Sequence, residues 1–92
     1  MSMEHVPGRK NGEVVLYALS TCVWCGKTRE LLTELGVEYS YVYVDLLSGA
    51  EFDRTVAEMA RWNKSRSFPT LVINNSKVIV GFREDEIREV LA

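Results

Sequence analysis

The run Glu13-Val14-Val15-Leu16-Tyr17-Ala18-Leu19-Ser20-Thr21-Cys22-Val23-Trp24-Cys25 joins two residue patterns at a cysteine pair. Its first half carries Val14, Val15, Leu16, Tyr17 and Leu19 as a nearly continuous apolar series, expected for a central strand covered on both faces. From Trp24 the apolar positions fall at Trp24, Leu31, Leu32 and Leu35, a helical spacing that Gly36 is placed to end. Thr21-Cys22-Val23-Trp24-Cys25 therefore marks a strand-to-helix turn. Unpaired backbone N–H groups and the helix dipole favour a negative charge there. Cys22 is thus the expected thiolate, with a pKa lowered from about 8.5 into a range of roughly 3.5 to 7.5. Cys25, one turn further in, is the expected buried resolving thiol. The two-residue spacing lets it displace a product from a mixed disulfide that Cys22 has formed.

Outward from this turn the elements alternate. Glu38 to Val44 is β-branched and aromatic, and it follows a crossover long enough to return parallel to the first strand. Phe52, Val56, Met59 and Ala60 mark one face of a second helix, between a break at Ser48-Gly49 and an end near Asn63. Leu71 to Ile73 and Lys77 to Val80 flank Asn74-Asn75-Ser76, residues that tolerate hairpin-turn geometry. Ile87, Val90 and Leu91 give an apolar face to a closing helix, with Glu84, Asp85 and Glu86 at its positive end. The order βαβαββα predicts an α/β fold with a four-stranded mixed sheet flanked by three helices. Residues 1–12, which contain Pro7, Gly8 and Gly12 among charged residues, are expected to be a flexible leader, and residues 13–92 the domain.

Composition narrows the function classes. With 92 residues, 47% of them hydrophobic, the chain can build one packed core. Its 11 basic and 13 acidic residues leave a net charge of -2, so no basic field exists to hold nucleic acid or an anionic membrane. No segment approaches the roughly 20 apolar residues that span a bilayer, and a soluble, cytoplasmic monomer is expected. Thiols are kept reduced in that compartment, which favours a catalytic or metal-binding role for the two cysteines over a structural staple. Zinc usually requires four protein ligands, or three plus water. The one histidine, His5, lies in the leader and reads as solvated, so no metal site is expected.

A second marker is Phe68-Pro69-Thr70, which opens the strand after the second helix. Together with the strand ending in Thr21-Cys22-Val23-Trp24-Cys25, the hairpin, and Gly81 before the last helix, it resembles the glutaredoxin family, within the thioredoxin-like superfamily, from Glu13 onward. The resemblance implies a cis peptide bond at Pro69 facing the cysteines, and a backbone at Phe68 that pairs with bound substrate. Arg66-Ser67-Phe68-Pro69 is similar to the family's Arg-Thr-Val-Pro, in which the basic residue meets a glutathione carboxylate. Asp85 matches an acidic residue near the glutathione amine. Trp24 is expected to stand beside Cys22 as an apolar wall, with Thr21, Val23, Gly81 and Phe82 completing the candidate substrate contacts. Trp62 reads as packing, and the alternation Tyr39, Tyr41, Tyr43 as core or edge covering.

Departures from the family pattern carry information too. Many glutathione-using members have Cys-Pro-Tyr-Cys and a lysine three residues before the first cysteine, where this chain has Val23-Trp24 and Leu19. Their Gly-Gly pair becomes Gly81-Phe82, and Gly81-Phe82-Arg83-Glu84-Asp85 resembles the Gly-Phe-Arg-x-Asp of redoxins that reduce ribonucleotide reductase. Val23 also fits that subgroup. The expected activity is reduction of protein or low-molecular-weight disulfides through a redox-active Cys22–Cys25 disulfide, with no cofactor in the domain. Electrons are expected from glutathione, another thiol or a reductase. The alternative is an iron–sulfur carrier in which two chains bridge a cluster through Cys22 and external thiols.

Overall fold

The computed structural model describes residues 3–10 and 12–92. In chain order the elements are β1 (Glu4–Val6), β2 (Val14–Ala18), α1 (Val23–Leu35), β3 (Tyr39–Tyr43), a 3₁₀ turn (Val44–Leu46), α2 (Gly49–Trp62), β4 (Thr70–Ile73), β5 (Lys77–Val80) and α3 (Glu84–Leu91). The sheet order is β1-β3-β2-β4-β5. β2 and β3 run parallel, as the helical crossover requires, and the other neighbours are antiparallel.

β2 lies at the centre of the sheet with both faces covered, which explains its unbroken apolar run. Val14, Leu16 and Ala18 point into a core shared with Cys25, Leu31 and Leu32 of α1 and Ile87 and Leu91 of α3. Tyr17 turns the other way and packs with Val42, Val72 and Met59 of α2. Two helices therefore cover one face and a third covers the other, the thioredoxin-like arrangement. Among the described residues, no helix is long and apolar enough to cross a membrane.

Turn chemistry follows the residues. Gly36 ends α1 with φ 70°, and its N–H reaches back to the carbonyls of Leu32 and Thr33. Asn74 and Asn75 take φ 55° and 53° between β4 and β5, and Ser76 N–H donates to Ile73 O at 3.1 Å. Both central residues are left-handed, as the tight hairpin turn demands.

The expected four-stranded sheet is corrected to five strands. The added strand comes from the segment expected to be a flexible leader: Glu4, His5 and Val6 pair antiparallel with Tyr41, Ser40 and Tyr39. The leader is fastened further along. Arg9 N–H donates to Gly36 O at 2.7 Å, and Glu38 N–H donates to Arg9 O at 2.8 Å. The Arg9 guanidinium reaches Leu91 O and Leu35 O at the ends of α3 and α1, where carbonyls lack helical partners. His5 stays exposed, with its Nε2 2.9 Å from Glu38 Oε2.

Candidate active site

Cys22 occupies the residue before α1 in an extended conformation, and its Sγ accepts a hydrogen bond from Cys25 N–H at 3.1 Å. The first turn of α1 contains no acidic side chain, so nothing in it opposes negative charge on that sulfur. Both cysteines are free thiols; Cys22 is half-buried and Cys25 is 1% exposed. The Cys25 thiol is pushed up to about 12, first by burial, then by the hydrogen bond and like charge of Cys22, with Asp45 adding to the effect and a backbone contact at Leu19 opposing it. One sulfur is therefore accessible and accepts a backbone amide hydrogen bond. The other holds its proton.

The loop leading into the pair is braced from β3's end. Asp45 accepts from Ser20 N–H at 2.8 Å and from the Ser20 hydroxyl, and these bonds hold its carboxyl below the usual carboxylate range. Cys22 N–H donates to Leu19 O at 3.2 Å. Ser20 and Asp45 were not among the residues singled out from sequence. The signal was faint: a serine two residues before the cysteine and an acid just past a strand.

The Phe68–Pro69 bond is cis, and Pro69 is buried. Thr70 pairs with Tyr17, which puts Pro69 at the end of the sheet where Cys22 lies. Pro69 O accepts from Gly81 N–H at 2.8 Å, tying the turn before α3 to the same place. Phe68 packs against both core clusters, one of which also includes Cys22 and Phe82.

Trp24 and Phe82 stack, with ring centroids 5.9 Å apart and planes inclined by 24°. Trp24 is 57% exposed and Val23 68%, so an apolar surface borders Cys22. Two positions that depart from the glutathione-using pattern thus touch each other. Arg66, Thr21 and Asp85 are exposed, and neither Arg66 nor Asp85 forms an ion pair among the described residues. Trp62 packs beside α2's core as read from sequence. The tyrosine alternation also packs: Tyr41 lies against Tyr39 and Tyr43, and Arg29 sits 3.8 Å over the Tyr41 ring while donating to both flanking hydroxyls. Among the described residues, no group of three or more His, Cys, Asp or Glu is arranged to hold a metal ion.

The sequence marks Asn63 only as the end of α2. In the structure its side-chain amide lies at the centre of the loop before Pro69, bonded to Ser65, Ser67 and Thr70. A lone asparagine after a helical pattern looks like an ordinary cap, which is why its wider role was hidden.

Known proteins share sequence and fold with this chain. A glutaredoxin from Methanosarcina mazei Go1 is 55% identical, with a TM-score of 0.90 over 100% of this chain and 89% of that one. The methanoredoxin of Methanosarcina acetivorans is 52% identical, with a TM-score of 0.89 over 92% of this chain and 90% of that one. An uncharacterized glutaredoxin-like 8.6 kDa protein in the rubredoxin operon of Clostridium pasteurianum is 30% identical over 78 residues, covering 85% of this chain and 96% of that one. A redoxin fold that brings two cysteines together is the general equipment of a thiol–disulfide oxidoreductase. The glutaredoxin family model matches residues 14–78, a span that runs from the central strand through both cysteines and the cis-proline into β5, and the chain belongs to the glutaredoxin family.

Proposed function

We propose that the chain reduces disulfides by dithiol exchange, with Cys22 as nucleophile and Cys25 as resolver. One observation carries the reading: an accessible sulfur at a helix start receives an amide hydrogen bond, while its partner one turn inward is buried and keeps its proton. The Cys22 thiolate attacks a substrate disulfide R–S–S–R′. A Cys22–S–S–R bond forms, and R′S⁻ leaves and takes a proton from solvent. Once Cys22 is a neutral mixed disulfide, its charge no longer opposes ionisation of Cys25. Cys25 then loses its proton and attacks the Cys22 sulfur. The Cys22–Cys25 bond forms, and RS⁻ leaves and is protonated. Two electrons pass to the substrate. An external thiol or a reductase returns them.

Val23, Trp24 and Phe82 supply an apolar border, which favours a disulfide set among apolar side chains. Phe68 at the cis bond offers backbone for strand-like pairing with that substrate, and Arg66 offers a guanidinium to a carboxylate. Reduction of insulin disulfides by the natural chain, Cys22→Ser and Cys25→Ser tests the scheme. Cys22→Ser is expected to abolish turnover, and Cys25→Ser to accumulate a mixed disulfide visible by mass spectrometry. Turnover by Cys22→Ser would overturn the assignment.

A further inference from the structure

The segment that enters the cis-proline carries an unusual backbone. Arg66 has φ +55°, a left-handed conformation that side-chain-bearing residues rarely adopt. Such a residue persists where its surroundings over-determine it. Here a single residue supplies the determinants. Asn63, 8% exposed, closes α2 by donating its N–H to Met59 O at 2.9 Å, and its carbonyl accepts from Arg66 N–H at 3.0 Å. Its Oδ1 accepts from Ser65 N–H at 3.1 Å and from Ser65 Oγ at 2.7 Å. Its Nδ2 lies 3.2 Å from Ser67 O, 3.1 Å from Ser67 Oγ and 3.0 Å from Thr70 Oγ1. Thr70 Oγ1 in turn donates to Ser67 O at 2.8 Å.

Both neighbours of Arg66 are thus tied to one amide. The chemistry is specific to that side chain, because only an amide of this length offers an acceptor to Ser65 and donors to Ser67 and Thr70. Aspartate would keep the acceptor and set a negative oxygen against the Ser67 carbonyl. Alanine would remove every side-chain tie to Ser65, Ser67 and Thr70, leaving the Arg66 N–H bond to the residue 63 carbonyl and the Thr70 Oγ1 bond to Ser67 O.

We propose that Asn63 is a positioning residue for substrate recognition. It holds Ser65 to Phe68 in the shape that meets a substrate attached to Cys22, and it does so without touching the cysteines. The inference rests on the dithiol exchange above.

Steady-state reduction of insulin is measured for the natural chain, Asn63→Ala, Asn63→Asp and the double variant Ser65→Ala/Ser67→Ala, beside the alkylation rate of Cys22 in each. The expected result for the Asn63 variants is a KM raised about tenfold or more, with kcat and Cys22 alkylation held within about twofold. A merely structural role would lower the amount of active protein and the melting temperature while leaving KM unchanged. The double variant removes the two hydroxyl contacts but leaves Ser65 N–H, Ser67 O and Thr70 Oγ1 bonded to the Asn63 amide, so it is expected to fold and to show a smaller, few-fold rise in KM. An unchanged KM in a folded Asn63→Ala or Asn63→Asp would overturn the inference, and where neither folds, an unchanged KM in the double variant would. A natural chain that reduces no disulfide would instead overturn the dithiol reading, so the two failures are separable.

Discussion

Direct alkylation of Cys25 should be very slow until Cys22 is removed, and should remain slow afterwards. With its pKa pushed up to about 12, Cys25 at neutral pH is ionised in about one molecule in 10⁵, against about one in 10² for a thiol at the ordinary value of 9.0. That difference lowers the reactive thiolate fraction about a thousandfold, an effect on the rate with iodoacetamide that the greater basicity of the thiolate only partly offsets. Two of the causes, the hydrogen bond and the like charge, come from Cys22, while the largest cause is burial. Cys22→Ser removes the like charge and replaces the sulfur acceptor but leaves the burial. The Cys25 midpoint should therefore fall from its value in the natural chain and still lie above 9.0. The assay is the Cys25 alkylation rate against pH from about pH 6 to about pH 10, with the modified cysteine identified by mass spectrometry; a midpoint above this range shows as a rate still rising at its upper end, and a lowered midpoint as a faster rate at each pH. A Cys25 that alkylates first in the natural chain, or titrates at or below the ordinary value in Cys22→Ser, would refute the division of labour between the two sulfurs.

Glutathione should be a weak cosubstrate for the natural chain. Leu19→Lys with Phe82→Gly should raise turnover of a glutathione mixed disulfide roughly ten- to a hundredfold, the equivalent of one charge-assisted contact of about 1.5 to 3 kcal/mol. Equal turnover by the two chains would show that neither position governs the choice of thiol. Asp45 makes a pH prediction of definite sign. Its carboxyl is held down by the Ser20 bonds, so the stability they contribute is complete above the ordinary carboxylate pKa of about 3.9 and is lost as pH falls through the depressed value. Melting temperatures below about pH 5 should therefore fall less steeply for Asp45→Asn than for the natural chain, and superimposable acid limbs would show that the clasp carries no stability.

Much of this architecture was legible because its determinants are local. The apolar series Val14 to Leu19 states burial on both faces, Gly36 and Asn74-Asn75 state the left-handed turns, and Cys22 to Cys25 state a helix start. The cis bond at Pro69 came from family resemblance, since nothing local to Phe68-Pro69 distinguishes cis from trans. Other features depend on contacts distant in sequence. β1 has three residues, too few for an alternating pattern, and it forms because β3 presents free backbone groups to it. Trp24 meets Phe82 only after α3's turn is folded back by the Gly81–Pro69 bond. The Asn63 hub depends on a loop conformation that no propensity encodes.

The short strand β1 also decides what the sheet presents to other molecules. β3 is rich in tyrosine, with Tyr39, Tyr41 and Tyr43 in one strand, the composition most prone to pair with a strand from another chain. With β1 laid along Tyr39 to Tyr41, the first part of β3 is interior to the sheet. The outer edge it would have offered is replaced by three residues that include Glu4 and His5. At the opposite side β5 is only four residues long and begins with Lys77, itself paired with Glu86 at 3.1 Å. Both borders of the sheet are thus short and interrupted by charge, and most of the strand best suited to templating aggregation is covered.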